Sequence, residues 1–293
     1  MTAFQRLSAA QRGILLMILT MFLFSIMDMI AKGLASRHDT FQVVWARYVS
    51  QTLFAVVILL PRLRSVVKTR YLRLQLIRSF FLFGATILFF SGIVLSGLAS
   101  TAAVMSINPL LITLGAFFIL GESLGLRRAM GVLAGLLGAL IIIRPGLTVF
   151  DPTALLGLGA AVFYTGYAIS TRFLGREESM WTSFLYTAVF GTIAASLIVP
   201  WYWTTPSLPD VGVMMSLGVV GGLGQLALIK ALMLAEAGAI APFAYCGPIF
   251  ATIWGITFFN EYPDIWVVSG AALIIAAGVY VWHREYRATK TNR

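Results

Sequence analysis

The chain has 293 residues, of which 59% are hydrophobic and only 11% charged, with a formal net charge of +10. Soluble domains run at about 45–50% apolar and about 25% charged, so most of this surface needs lipid as its solvent. One cysteine, Cys246, and two histidines exclude an internal disulfide and argue against a metal cluster. No basic soluble domain stands behind the positive charge, which argues against nucleic acid.

The apolar residues come in blocks of roughly 18–22, enough to cross a ~30 Å hydrocarbon core at ~1.5 Å per residue. They place ten spans at about 13–33, 41–60, 73–95, 99–120, 126–144, 153–172, 180–200, 209–232, 237–259 and 264–283. The first block is too long for a signal-peptide core and reads as span one. The short alternating segments of a membrane β-barrel are missing. Asp151-Pro152 reads as an N-cap followed by proline at the first helical position. Pro61, Pro145 and Pro263 fall at helix edges, where proline does least harm.

Ten spans put both termini on one side. That side takes all of the 21 basic residues except Lys32, Arg37, Arg47 and Arg144. The excess of lysine and arginine predicts that both termini are cytoplasmic. Trp201, Tyr202 and Trp203 then close span seven on the outer side, where interfacial aromatics belong.

The chain repeats itself at an offset of 139–140 residues. Residues 103–122 read AVMSINPLLITLGAFFILGE and residues 242–261 read PFAYCGPIFATIWGITFFNE, so Pro109 falls on Pro248 and Glu122 on Glu261. Gly131 falls on Gly270, and the segment ending at Lys32 aligns with the one ending at Arg172. An odd number of spans separates equivalent points, so the second half (149–293) enters the membrane inverted relative to the first (1–148). Inverted repeats are a recurring plan of secondary transporters, with the substrate site near the midplane between the halves.

With ten spans and paired proline-to-glutamate segments, the chain resembles the drug/metabolite transporter superfamily, and within it the EamA-type exporters of aromatic and other neutral amino acids. The likeness covers nearly the whole chain. It implies a basket of helices around a central cavity drawn from spans one, three, four, six, eight and nine, with spans five and ten as packing elements. Where the family often has tryptophan-glycine, this chain has Phe24-Ser25 and Tyr164-Thr165.

Asp28 is the one carboxylate well inside a span, and a charge at that depth is costly unless paired or turned into a cavity. It is a candidate for binding a substrate amine or for proton coupling. The structural alternative is an ion pair with Lys32, one turn on, or with Arg47. Pro109 and Pro248 each remove a helix hydrogen bond and are expected to kink their spans, as cavity walls or hinges. Asn108 and Tyr245 offer polar groups at that depth, as do Tyr164, Tyr167 and Gln225, with Phe83 on the apolar wall. Glu122 and Glu261 end spans four and nine, as ties for the following turn or as gates. Gly131, Gly135, Gly138, Gly270 and Gly278 read as small-residue packing faces, within a monomer or across a dimer.

No HExxH, GxSxG or facing aspartate pair is present, which argues against an intramembrane enzyme. No ATP-binding motif is present, so active transport needs an ion gradient or exchange. The expectation is an all-α secondary transporter of a bacterial inner membrane, without cofactor. It exports small neutral metabolites, by resemblance amino acids including aromatic ones, and a multidrug or other metabolite exporter is the alternative.

Overall fold

A computed structural model describes residues 7, 9–120, 126–143, 152–174, 178–234 and 241–291. In lipid every backbone N–H and C=O must be satisfied within the protein, and helices do this within a single segment. Accordingly every extended element among the described residues is helical. These helices are α1 (Ala9–Ala35), α2 (Thr40–Leu59), a short α3 (Leu63–Val66) and α4 (Leu72–Leu95). Next come α5 (Leu98–Met105), α6 (Asn108–Leu120), α7 (Leu126–Ile143) and α8 (Ala154–Leu174). The last four are α9 (Met180–Ile198), α10 (Leu208–Leu234), α11 (Cys246–Phe259) and α12 (Ile265–Thr291). Among the described residues, seven stretches are long and apolar enough to cross a membrane, and three shorter apolar helices lie where spans five, nine and ten are expected. This is an all-α multi-pass membrane protein.

Side-chain caps start several helices. Asp39 accepts the Phe41 N–H at 2.8 Å, and Asp264 accepts that of Val267 at 2.8 Å, each satisfying an orphan donor of a first turn. Among the described residues, neither span four nor span nine runs as one regular α-helix. α5 stops at Met105 and α6 restarts at Asn108, with Pro109 as its second residue. A 3₁₀ turn (Ala241–Tyr245) precedes α11, whose third residue is Pro248. Each proline thus sits in the first turn of a new helix, where its missing N–H has no partner to lose.

The most extensive helix pairings are α1 with α10 and α4 with α8, that is, span one with eight and span three with six. Exchanging the two halves turns one pair into the other, whereas α7 on α12 and α2 on α9 are each their own counterpart. Both leading pairs set large side chains into glycines. Phe24 meets Gly224 and Met27 meets Gly221, while Phe81 meets Gly166 and Phe163 meets Gly84. Between lipid-solvated helices, close packing of this kind replaces the hydrophobic effect as the driving force. Gly138 and Gly270 bring the α7 and α12 backbones together, with a Cβ on Gly138 falling 2.8 Å from the Gly270 carbonyl. Gly135 faces Leu110 of α6, and Gly278 faces Tyr245. These small faces are used inside the chain.

Candidate functional site

On α1, Met21, Ser25, Asp28 and Lys32 recur at spacings of four, three and four and share one stripe. Ser25 Oγ accepts from Trp254 Nε1 of α11 at 3.0 Å, and Lys32 is ion-paired with Glu261 just beyond α11. The stripe therefore faces protein, not lipid. Asp28 is half-buried on it, and among the described residues it has neither a hydrogen bond nor a cation within 4.0 Å. Its one charged neighbour of note is Arg47. The expected pairing with Lys32 does not form, because Glu261 takes that ammonium.

Arg47 of α2 is 7% exposed and poorly satisfied. Its Nε donates to Met27 Sδ at 3.4 Å and its Nη1 to Thr86 Oγ1 at 3.3 Å, both long, and the guanidinium lies 4.6 Å from the Tyr48 ring centre. Its Nη2 makes no hydrogen bond among the described residues. Neither that nitrogen nor the Asp28 carboxylate is among the fully sealed atoms that lack a partner. A carboxylate and a guanidinium of opposite sign, each short of partners and not in contact, can hold the two ends of a zwitterion.

A second arginine, which sequence reasoning assigned to the basic loops, lies inside the bundle. Arg78 is 2% exposed, six residues into α4 and hence about 9 Å from its start. Nε donates to Thr171 Oγ1 at 2.7 Å. Nη1 donates to Ser183 O at 3.0 Å and Thr187 Oγ1 at 2.8 Å, and Nη2 to the Tyr167 hydroxyl at 2.7 Å. All four acceptors are neutral and come from α8 and α9, so Arg78 braces three helices.

The other expected residues scatter around these centres. Tyr164 and Tyr167 stand together on α8 with ring centres 5.3 Å apart, half-buried. Asn108 donates to Ala161 O at 3.1 Å, linking the α5–α6 break to α8. Gln225 Oε1 accepts from Gln51 Nε2 at 2.9 Å, and its own Nε2 has no partner. Phe83 packs between Tyr48 and Phe190. Tyr245 is turned toward Gly278 of α12, its hydroxyl buried without a partner. Glu261 does more than tie the next turn. Its Oε2 accepts the Leu98 N–H that opens α5 at 3.0 Å, and Gly97, at φ 94, leaves it room. Glu122 lies outside the described residues.

The end of the bundle that carries Lys32 and Glu261 has a further set of ties. His38 bridges Thr204 at 3.0 Å and Asp210 at 3.2 Å. Gln42 exchanges two hydrogen bonds with the Thr204 backbone, at 2.7 and 3.0 Å. Trp201 and Trp203 stand exposed beside them, at 79% and 44%.

A bundle of paired repeats, with broken helices and unmatched charges facing inward, is the architecture of a secondary transporter. The chain belongs to the EamA-like transporter family, which matches it over residues 11–144 and again over 151–282. It is a transporter of small metabolites, not an enzyme. It is 26% identical to the S-adenosylmethionine uptake transporter of Rickettsia prowazekii, over 96% of this chain and 95% of that one. It is 28% identical to the pseudopaline exporter of Pseudomonas aeruginosa, over 92% and 96%, and 28% identical to the riboflavin transporter of Vibrio cholerae, over 65% and 64%. A crystal structure 20% identical in sequence superposes with a TM-score of 0.65, covering 94% of this chain and 98% of that one, which shows a shared fold.

Proposed function

We propose that this protein exports small metabolites that carry both an amine and a carboxylate, amino acids including aromatic ones, across a bacterial inner membrane. The observation that carries the reading is the unmatched, oppositely charged pair of Asp28 and Arg47, neighbours inside the bundle that do not touch. A substrate ammonium donates to Asp28, and its carboxylate accepts from Arg47. Tyr164 and Tyr167 supply aromatic surface for a side chain, with Asn108 as a further polar group of the cavity. Of the compounds named for the relatives, S-adenosylmethionine includes methionine and so presents the same two groups. A cationic drug, the alternative, uses Asp28 but meets Arg47 as a repulsive neighbour.

The halves, 1–148 and 149–293, rock as inverted repeats about this site. The breaks ahead of Pro109 and Pro248 serve as their hinges. The Lys32–Glu261 pair is a gate at one end, and Glu122 is its counterpart at the other. The excess of lysine and arginine in the loops on one side supports cytoplasmic termini. The use of Gly138 and Gly270 inside the chain favours a monomer.

Counterflow of labelled amino acids into liposomes containing only the purified protein tests the reading, with the decarboxylated amines as a parallel panel. Amino acids should exchange and the amines should not. Asp28→Asn should slow exchange by about thirtyfold or more, as expected for removing one member of a buried charge contact. Unchanged exchange in Asp28→Asn, with or without a pH gradient, would remove Asp28 from the site and the zwitterion reading with it.

A further inference from the structure

At the end of the bundle opposite Lys32 and Glu261, a cleft of about 800 Å³ lies between the segment leading into α4 and the one leading into α9. It is lined by Lys68, Thr69, Arg70, Tyr71 and Glu178. The surrounding stretch carries Arg62, Arg64, Lys68, Arg70 and Arg73, all at least partly exposed. Among the described residues none of the five has an acidic partner within 4.0 Å. Membrane proteins gather cations at one face in any case. Here, however, two of the cations, Lys68 and Arg70, line a cavity, and that cavity also holds an acid with which they form no ion pair. Glu178 is held on one oxygen only, Oε2, by the Thr69 hydroxyl at 2.9 Å and Gln75 Nε2 at 3.2 Å, and its Oε1 points to no donor among the described residues.

The cleft also has an apolar continuation. Leu72, Leu76 and Phe80 follow it down α4 at spacings of four, exposed at 50%, 42% and 52%. They form one exposed apolar stripe along α4 that starts beside the charges. Basic pockets at the membrane surface between helices recognise lipid headgroups.

We propose that this cleft is a binding site for an aminophospholipid. The phosphodiester lies against Lys68 and Arg70, the headgroup ammonium donates to Glu178, and an acyl chain runs along Leu72, Leu76 and Phe80. A purely anionic headgroup satisfies the two cations but is repelled by Glu178. A quaternary ammonium headgroup has no N–H to give that carboxylate. The site is independent of the substrate reading, because it is separate from Asp28 and Arg47.

The test is native mass spectrometry of the full-length protein released from nanodiscs of phosphatidylethanolamine, phosphatidylcholine or phosphatidylglycerol. Phosphatidylethanolamine should be retained preferentially. Lys68→Gln with Arg70→Gln should weaken retention by about thirtyfold, from ~1 kcal/mol per surface cation. Glu178→Gln should erase the preference over phosphatidylcholine while leaving binding in place, and Lys68→Arg with Arg70→Lys should bind as the parent does. Chain-free glycerophosphoethanolamine should compete only weakly. Equal retention of the three lipids, preference for phosphatidylglycerol, or full competition by the chain-free headgroup would each overturn the proposal. So would displacement of the lipid by a transported amino acid, which would make the cleft a substrate vestibule.

Discussion

Arg47 and Arg78 both carry a guanidinium into the bundle, and the surroundings of the two differ in a way that separates a site from a scaffold. Arg78 spends four donors on short bonds to neutral oxygens of α8 and α9 and is sealed. Arg47 has two long hydrogen bonds, one of them to a thioether, and a carboxylate nearby that it does not touch. Burial of a charge is costly in both cases. At Arg78 the fold offsets that cost with hydrogen bonds, so the interaction is complete. At Arg47 the compensation is incomplete until something else arrives, and the protein keeps that deficit for its substrate.

The largest effect expected from this contrast is on stability, at Arg78. Arg78→Met takes the donor from the Thr171, Tyr167 and Thr187 hydroxyls, while the Ser183 carbonyl keeps Thr187 Oγ1, and should cost about 3 kcal/mol, at roughly 1–3 kcal/mol for each group that stays unsatisfied. The thermal midpoint of the purified protein should fall clearly, while the ratio of amino-acid to amine transport in the surviving fraction stays as in the parent. A change in that ratio without loss of stability would make Arg78 part of the substrate site and break the comparison.

Arg47→Gln should do the opposite. The hydrogen bonds that Arg47 makes within the protein are long and weak, so the midpoint should move little without them. Substrate carboxylate loses one charge-assisted bond, worth about 1.5–3 kcal/mol, and the KM for amino acids should rise by about tenfold or more. Exchange of the corresponding amines should improve, because the repelling charge is gone. Parallel losses for acids and amines would show that Arg47, like Arg78, is only a brace.

Much of the fold was legible in the sequence, because hydrocarbon thickness sets helix length and the spans could be counted off. The break in each repeat was signalled too, through Pro109 and Pro248, but as a kink. A span of continuous hydropathy does not reveal that proline sits at the start of a new helix. Asp28 and Arg47 stood out as charges at depth. Arg78 did not, since it follows five basic residues between 62 and 73 and reads as the last of them. A depth count from the start of α4 would have found it. Partner choice was the least legible feature. Lys32 lies four residues from Asp28, yet it reaches across to Glu261, because the stripe faces α11 and a packed neighbour outcompetes a local one. Tyr245 likewise has the right depth, but its rotation toward Gly278 is set by packing.

That choice of partner leads to the smallest of the expected effects. Glu261 holds Lys32 and caps α5 at once, so it ties the end of α11 to both α1 and α5 in the other half. Its side chain is 31% exposed, and Glu261→Gln keeps a weaker acceptor for both donors, so stability should fall by only about 1 kcal/mol. Its effect on access should be easier to see. With Cys246 replaced by serine, a cysteine placed at Ser25, 3% exposed and deeper on the stripe than Lys32, should react with an impermeant maleimide at the parent rate if this end is static and faster in Glu261→Gln if the pair is a gate. Freed from Glu261, the Lys32 ammonium also has Asp28 one turn away, and amino-acid affinity should then drop as Lys32 competes for the carboxylate. Faster labelling together with weaker affinity would show that one ion pair both closes this end and keeps Asp28 available for substrate.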